Sequence, residues 1–148
     1  MYKNILVPLD GSKRAEAILS HVEELAQRYH AKVVLLRVVS VAPLVGRAEG
    51  AIVALQQEEL QLRTQEAESY LAALQGEFRE KGIEAATRIV QGPVVEEILL
   101  AAEREGADLI AMASHGRTGL SRVFYGSVAA GVLHRIDRPL LLIRSRSD

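Results

Sequence analysis

Cysteine is absent from the 148 residues of this chain. The protein can therefore form no disulfide, and thiolate nucleophiles and cysteine-based metal sites are excluded. Long hydrophobic runs are also missing, since none approaches the roughly 18 residues that a membrane span needs. The first predicted strand begins directly after Met1-Tyr2-Lys3-Asn4, which leaves no room for a signal peptide, so we expect a cytoplasmic protein.

Charge of one sign is not in excess either. The chain has 18 Lys and Arg residues against 19 Asp and Glu residues, a net charge of -1. This balance gives no overall attraction to nucleic acid or to a membrane surface, and neither partner is predicted. The length, without repeats or low-complexity segments, predicts one domain over residues 1–148 with a single core.

Continuous apolar runs predict four buried strands, because a strand that is covered on both faces shows no alternation of polar and apolar residues. A fifth run, from Ala85 to Val90, alternates more and carries Thr87 and Arg88, which favours a position nearer a sheet edge. The four buried runs are Ile5 to Leu9, Val33 to Val39, Leu109 to Met112 and Leu140 to Ile143.

Helical periodicity fills the intervals between these strands, with apolar residues three and four positions apart. Asp10 or Ser12 can cap the first helix, Lys81-Gly82 ends the second, and the segment from Val41 to Gly50 predicts a loop. The apolar stripes run from Ala15 to Tyr29, Leu62 to Phe78, Val95 to Ala102 and Val128 to Ile136.

Strict alternation of strands and helices predicts a doubly wound, Rossmann-like α/β/α sandwich around a five-stranded parallel sheet. Ligands of such sheets bind beyond the carboxyl ends of the strands. Asp10, the segment from Val38 to Ser40, and the segment from Ala113 to Gly116 follow strands in this way. We therefore expect these three segments to border a ligand site.

The segment Ala113-Ser114-His115-Gly116, followed after nine residues by Gly126-Ser127, predicts a phosphate cradle. Small residues let backbone N–H groups approach a ligand, and the helix that follows directs its positive end toward the same place. The chain has no G-x-x-x-x-G-K-[ST] and no G-x-G-x-x-G after the first strand, which excludes a P-loop NTPase and a standard dinucleotide-binding protein. No aspartate ends the third strand, as a phospho-receiver domain would need. Gly126-Ser127 does not fit the G-x-S-x-G motif of a nucleophile elbow.

Across nearly its full length the chain resembles a small, single-domain universal stress protein. Four segments carry this resemblance: Val7 to Ser12, Ser114 to Arg122, Gly126 to Ala129, and Arg138 to Ile143. The resemblance implies the strand order 3-2-1-4-5. It also implies a homodimer through the apolar final strand, Pro139 to Ile143, which that order places at a sheet edge.

In the ATP-binding branch of that family, the pattern is Gly, two residues, Gly, nine residues, Gly, then Ser or Thr. The resemblance implies phosphate contacts at Gly116, Gly126 and Ser127, with Ala113 in place of the first glycine. It further implies that Asp10 lies near the ribose and adenine and Val38 at the adenine pocket. Alanine at 113 is strained only if φ there is positive.

We therefore predict a protein that binds ATP, with Mg²⁺ held through phosphate oxygens, and that regulates a stress response without a catalytic role. Any hydrolysis of ATP is expected to be slow and incidental. No protein metal ligands are predicted. The predicted nucleotide-binding residues are Pro8, Leu9, Asp10, Val38, Ala113, His115, Gly116, Arg117, Gly119, Gly126, Ser127 and Val128.

Structural roles remain open for several of these residues. Asp10 can cap a helix without binding a ligand, Gly116 and Gly119 can be turn glycines, and Ser127 can be an N-cap. The paired spacing of Gly116 and Gly126-Ser127 favours a ligand site. A catalytic His115 is not predicted, because no carboxylate or nucleophile accompanies it.

Two other functions remain as alternatives. A nucleotide-free dimeric interaction module is supported only by Ala113. A small nucleotide-using enzyme would need a second substrate pocket and a base, neither of which the sequence supplies.

Overall fold

Five parallel strands form one sheet in the order β3-β2-β1-β4-β5 in the computed structural model, which describes residues 1–40, 50–115 and 126–145. The strands are β1 Asn4–Pro8, β2 Lys32–Val39, β3 Ala85–Gln91, β4 Leu109–His115 and β5 Leu140–Ser145. The helices are α1 Leu19–Tyr29, α2 Gly50–Glu80, α3 Val94–Arg104 and α4 Ser127–Arg135, with a 3₁₀ turn, Ala15–Ile18, directly before α1. The predicted fold class and strand order are confirmed.

Both faces of the sheet are buried, which is why the strand sequences are apolar without alternation. Ile5 and Val33 belong to a core cluster that includes residues of α1 and α2. Leu6 and Val34, one position along each strand, belong to a second cluster with residues of α3 and α4. The helices therefore lie in two layers, one on each side of the sheet.

The edges of the sheet are β3 and β5, as the sequence and the family resemblance respectively predicted. Most residues of β3 are half-buried, and the Gln75 side chain of α2 donates a hydrogen bond of 2.9 Å to the Ala85 carbonyl oxygen. Helix α2 thus contacts the backbone of one edge strand. Leu140 to Ile143 at the other edge are half-buried.

The first helix begins with a 3₁₀ turn rather than the α-helical turn that its periodicity predicted. The Ser12 hydroxyl accepts the Ala15 N–H at 3.2 Å, and Asp10 Oδ1 accepts the Ser12 N–H at 2.9 Å. Ser12 therefore caps the turn and Asp10 orients Ser12. Short 3₁₀ turns are common where α-helices begin.

Helix α2 is 31 residues long, and its buried residues, Ala67, Leu71, Leu74 and Phe78, all lie in its second half. Arg63 donates a hydrogen bond of 2.7 Å to the Ser40 carbonyl oxygen, just beyond the end of β2. The predicted loop from Val41 to Gly50 needs a correction at one end, because Gly50 is the first residue of α2. Residues 41–49 lie outside the described residues.

Helices α3 and α4 approach each other closely at Gly131. A Cβ atom built there would lie 2.7 Å from Val95 Cγ2 and 3.2 Å from Val95 Cγ1. Glycine is thus the residue that lets the α4 backbone approach α3. Within the described part of the chain, no helix is both long and apolar enough to cross a membrane.

Candidate functional site

A pocket of about 140 Å³ straddles the carboxyl end of the sheet. Residues at the ends of β1, β2 and β4 form one part of its wall, and the beginnings of α3 and α4 form another. Six predicted site residues line it: Pro8, Leu9, Asp10, Val38, Ala113 and Val128. The fold thus brings together residues from four separate parts of the chain, at the end of the sheet where doubly wound proteins bind ligands.

Most of the described lining is apolar, including Val38, Ile98 and Met112, and its charged residues are Asp10 and Arg37. An apolar wall with few polar groups suits a flat ring system, which the polar groups then orient. The strand order sets the order of these lining residues across the edge of the sheet. Arg37 and Val38 belong to β2, Asp10 follows β1, and Ala113 belongs to β4 on the far side of β1.

Asp10 is exposed at the pocket, and its Oδ1 also accepts the Ser12 N–H. A carboxylate has two oxygens and several lone pairs, so it can accept more than one hydrogen bond at a time. The helix-start role and a ligand role are therefore compatible at one side chain.

Ala113 lies within β4, opposite Ile143 of β5, and is 6% exposed. His30 is the only described non-glycine residue with a positive φ, so the backbone of Ala113 is not left-handed. Alanine at this position therefore carries no left-handed strain.

The start of α4 borders the pocket through Val128 and Ala129. Gly126 precedes the helix with φ 71° and ψ 147°, a backbone conformation that residues other than glycine rarely adopt. The Ala130 N–H donates to the Gly126 carbonyl oxygen at 3.0 Å and closes the first turn. The N–H groups of Ser127 to Ala129 precede that bond and have no acceptor within the helix. Gly126 is the N-cap, and the exposed Ser127 is the first helical residue.

The start of α3 differs electrostatically from that of α4. Glu96 and Glu97 lie in the first turn of α3, whereas the first turn of α4 has no acidic residue. Glu97 Oε1 lies 2.7 Å from the position of a Cβ built on Gly92, just before α3. A carboxylate therefore already lies at the positive end of α3, and α4 offers the better anion site.

Part of the predicted cradle cannot be compared with the structure. His115 is the last residue of β4 and pairs in register with Ser145 of β5. Its side chain, together with Gly116, Arg117 and Gly119, lies outside the described residues. Among the described residues, no group of three or more His, Cys, Asp or Glu side chains could hold a metal ion.

Sequence reasoning missed two polar residues near the pocket. Arg37 lines the pocket, and its sequence signal is a single charge within the apolar run of β2. Tyr70, on α2, was assigned only to an apolar stripe. Its hydroxyl is buried without a hydrogen-bond partner among the described residues. Burial, followed by the negative charge of Glu16, raises the pKa of Tyr70.

Comparison with known proteins gives a family match over nearly the whole chain. The model of the universal stress protein family matches residues 1–144. The universal stress protein MJ0577 of Methanocaldococcus jannaschii is 32% identical to this chain, over 100% of this chain and 98% of the relative. The solved structure of MJ0577 superposes with a TM-score of 0.86 and covers 100% of this chain and 99% of its own.

Two further solved structures share the fold. The universal stress protein UspA from Lactobacillus plantarum is 26% identical, with a TM-score of 0.82 and coverage of 97% of this chain and 98% of its own. A universal stress protein family protein from Arabidopsis thaliana with AMP bound is 16% identical, with a TM-score of 0.66 and coverage of 99% and 94%. On the family match and the 32% identity over the whole chain, this protein belongs to the universal stress protein family.

Proposed function

We propose that this protein binds ATP at the carboxyl edge of its sheet and acts as a nucleotide-dependent regulator of a stress response, without a catalytic role. The observation that carries the proposal is the start of α4. Three N–H groups there have no helical acceptor, no acidic residue lies in the first turn, and the apolar pocket begins at Val128. These features suit a phosphate group attached to an apolar ring.

The strand order supports one orientation of the nucleotide in this proposal. Neighbouring strands lie about 4.8 Å apart, so β2 and β4, which flank β1, are about 10 Å apart. In the proposed complex the phosphates lie at the start of α4, beside β4. The ribose lies at Asp10, which accepts a hydrogen bond from a ribose hydroxyl, and the purine lies against Val38 and the start of α3. Gly126 and Ser127 contact the phosphates through their backbone N–H groups.

The remaining predicted residues complete this site in the proposal. Gly116, Gly119 and the His115 backbone approach the phosphates, and Arg117 pairs with them by charge. Mg²⁺ takes its oxygen ligands from phosphates and water, as this ion commonly does in proteins. The AMP in the Arabidopsis thaliana family member supports a nucleotide as the class of ligand.

The nucleotide-free alternative drew its support from Ala113 alone. Because Ala113 has no left-handed strain, the methyl group does not force a change of the β4 backbone. The family membership favours a regulator over an enzyme, and the proposal assigns any hydrolysis of ATP no functional role.

The proposal is tested by calorimetric titration of Mg²⁺-ATP into protein stripped of small molecules, after chromatography of whatever the purified protein releases on denaturation. Gly126→Ala forces a side chain onto a backbone with φ 71°. We expect it to weaken ATP binding by about tenfold, because such strain costs about 1–3 kcal/mol and relief would move the start of α4. Gly76→Ala is the matched control, since a Cβ at Gly76 within α2 meets nothing within 4 Å.

Purified protein that carries no nucleotide and shows no titratable affinity for ATP would contradict the proposal and favour the nucleotide-free module. If Gly126→Ala and Gly76→Ala bind ATP with equal affinity, the proposal of ATP binding stands, but the phosphates do not lie at the start of α4. Thermal unfolding of both variants shows whether either is simply unfolded.

We also propose a two-fold homodimer through β5. This strand is at the sheet edge, and its residues Leu140 to Ile143 remain half-buried in one chain. An apolar edge strand favours pairing with a second copy. Light scattering at micromolar concentration should give the mass of a dimer, with slow hydrogen exchange at the β5 amides. A monomer would contradict this proposal.

A further inference from the structure

Arg37 is the charged residue within the run from Val33 to Val39 of the interior strand β2, whose other members are all apolar. Its neighbours Leu36 and Val38 are 0% and 7% exposed, whereas Arg37 is half-buried and lines the pocket. It lies in register with Ile89 of β3, on the face of the sheet that α1 and α2 cover. Arg37 therefore lies near the end of β2, beside the proposed ligand.

The hydrogen-bond donors of Arg37 lack acceptors in the described part of the chain, where it makes neither a hydrogen bond nor an ion pair. Two other arginines at comparable depth are paired. Arg88 Nε lies 3.1 Å from Glu105 Oε1, and Arg138 Nη1 donates to the Ala102 and Ala107 carbonyl oxygens at 2.9 Å each. Because a partly buried donor without an acceptor is destabilising, the position of Arg37 favours a ligand that supplies acceptors.

The neighbourhood of Arg37 contains a second donor and a carboxylate. The Tyr70 hydroxyl is buried without a partner among the described residues, and Arg37 is close enough for its charge to act on Tyr70. Asp10 lines the same pocket. A guanidinium that donates and a carboxylate that accepts together suit a group that does both. The paired hydroxyls of a ribose are such a group, since each hydroxyl donates one hydrogen bond and accepts others.

The strand order separates Arg37 from the phosphates. Arg37 is on β2 and the start of α4 is beside β4, with β1 and Asp10 between them. If the phosphates lie at α4, then Arg37 faces the ribose end of the nucleotide. The Asp10 carboxylate also disfavours an anion next to Arg37.

We propose that Arg37 is a specificity-determining residue: it donates hydrogen bonds to the ribose hydroxyls, so that the site prefers ribonucleotides to 2′-deoxyribonucleotides. This inference rests on the proposed ATP site and adds to it the recognition of the sugar. The ribose hydroxyls would supply acceptors to a guanidinium that has none among the described residues.

The test compares ATP and 2′-deoxy-ATP by calorimetric titration into the wild-type protein and Arg37→Gln. A hydrogen bond to a charged donor is expected to give the wild-type protein a preference for ATP of about tenfold or more. In Arg37→Gln, ATP binding should weaken by about tenfold. Binding of 2′-deoxy-ATP, which keeps only the 3′-hydroxyl, should weaken less, so that the preference for ATP shrinks. Arg37→Lys should lose most of the preference as well, since its ammonium group lacks the planar array of donors.

Arg88→Gln is the matched control, because Arg88 is on the neighbouring strand, in register with Leu36, and pairs with Glu105 without lining the pocket. It should keep the full preference for ATP. Failure of the wild-type protein to bind either nucleotide would refute the proposed function itself. Binding of both with equal affinity, an unchanged preference in Arg37→Gln and Arg37→Lys, or equal weakening of both nucleotides would overturn the role of Arg37 and leave the ATP site standing.

Discussion

Gly131→Ala is expected to destabilise the protein, although alanine is a better helix former than glycine. The new Cβ would lie 2.7 Å from Val95 Cγ2, 3.2 Å from Val95 Cγ1 and 3.5 Å from Val95 Cβ. Valine in a helix strongly prefers one χ1 rotamer, so Val95 on α3 cannot rotate away without strain. The helices must then separate, or Val95 must adopt a strained rotamer.

The expected size of the effect follows from two opposing contributions. Overpacking of this kind costs about 1–3 kcal/mol, and replacement of glycine by alanine within a helix stabilises by about 1 kcal/mol. The net loss in the free energy of unfolding should therefore be about 1 kcal/mol. Urea unfolding followed by circular dichroism measures this difference.

The same substitution should change sign when Val95 is also shortened. Val95→Ala removes both Cγ atoms, so Gly131→Ala in that background should stabilise the protein by about 1 kcal/mol. The double-mutant cycle then gives a coupling of about 2 kcal/mol. If Gly131→Ala has the same effect with and without Val95→Ala, the close approach of α3 and α4 is not what requires glycine, and the packing argument is wrong.

Two further predictions concern an arginine and a tyrosine. Arg138→Ala removes the donor that binds the Ala107 carbonyl oxygen and one of two donors to the Ala102 carbonyl oxygen, which keeps the Ala107 N–H. It should lower the free energy of unfolding by about 2 kcal/mol in urea titrations, whereas Arg135→Ala, at an exposed position, should change it little. Burial raises the pKa of Tyr70 above its ordinary 10.0, so the phenol stays protonated in the folded protein where the unfolded chain ionises. The contribution of Tyr70 to the free energy of unfolding is therefore fully present below about pH 10. It declines above that pH, by at most about 1.4 kcal/mol per pH unit. Unfolding at pH 8 and pH 11 should show a steeper loss for the wild-type protein than for Tyr70→Phe; parallel losses would contradict the role of burial.

The buried strands were predictable because a sheet covered on both faces leaves a direct mark on the sequence. Val33 to Val39 is apolar at nearly every position, and both its faces meet core residues. Periodicity does not tell which strands are neighbours, however, since Ile5 is equally buried beside any apolar strand. The strand order came from the family resemblance, which rests on the loop segments rather than on the core.

The beginnings of the helices were harder to predict, because they depend on backbone geometry more than on hydrophobicity. The composition around Gly50 predicts a loop, and the first half of α2, which begins at Gly50, has no buried residue that would mark it as helical. At α4 the sequence offered Ser127 as an N-cap, whereas Gly126 takes that position with φ 71°. A serine is a favoured cap, but only glycine adopts this φ and ψ without strain.

Arg37 and Tyr70 show why part of the site is invisible to sequence patterns. A periodic pattern sorts residues by the face they occupy, and on that criterion Arg37 is an interruption and Tyr70 a member of an apolar stripe. Arg88 is also a charge within a strand, yet it has a partner in Glu105 on the other face of the sheet. What distinguishes Arg37 is the absence of an acceptor among the described residues together with its place at the pocket, and both depend on which elements converge there. A half-buried charge that has no partner among the described residues and lines a pocket is therefore a stronger indication of a ligand contact than a charge that merely interrupts an apolar run.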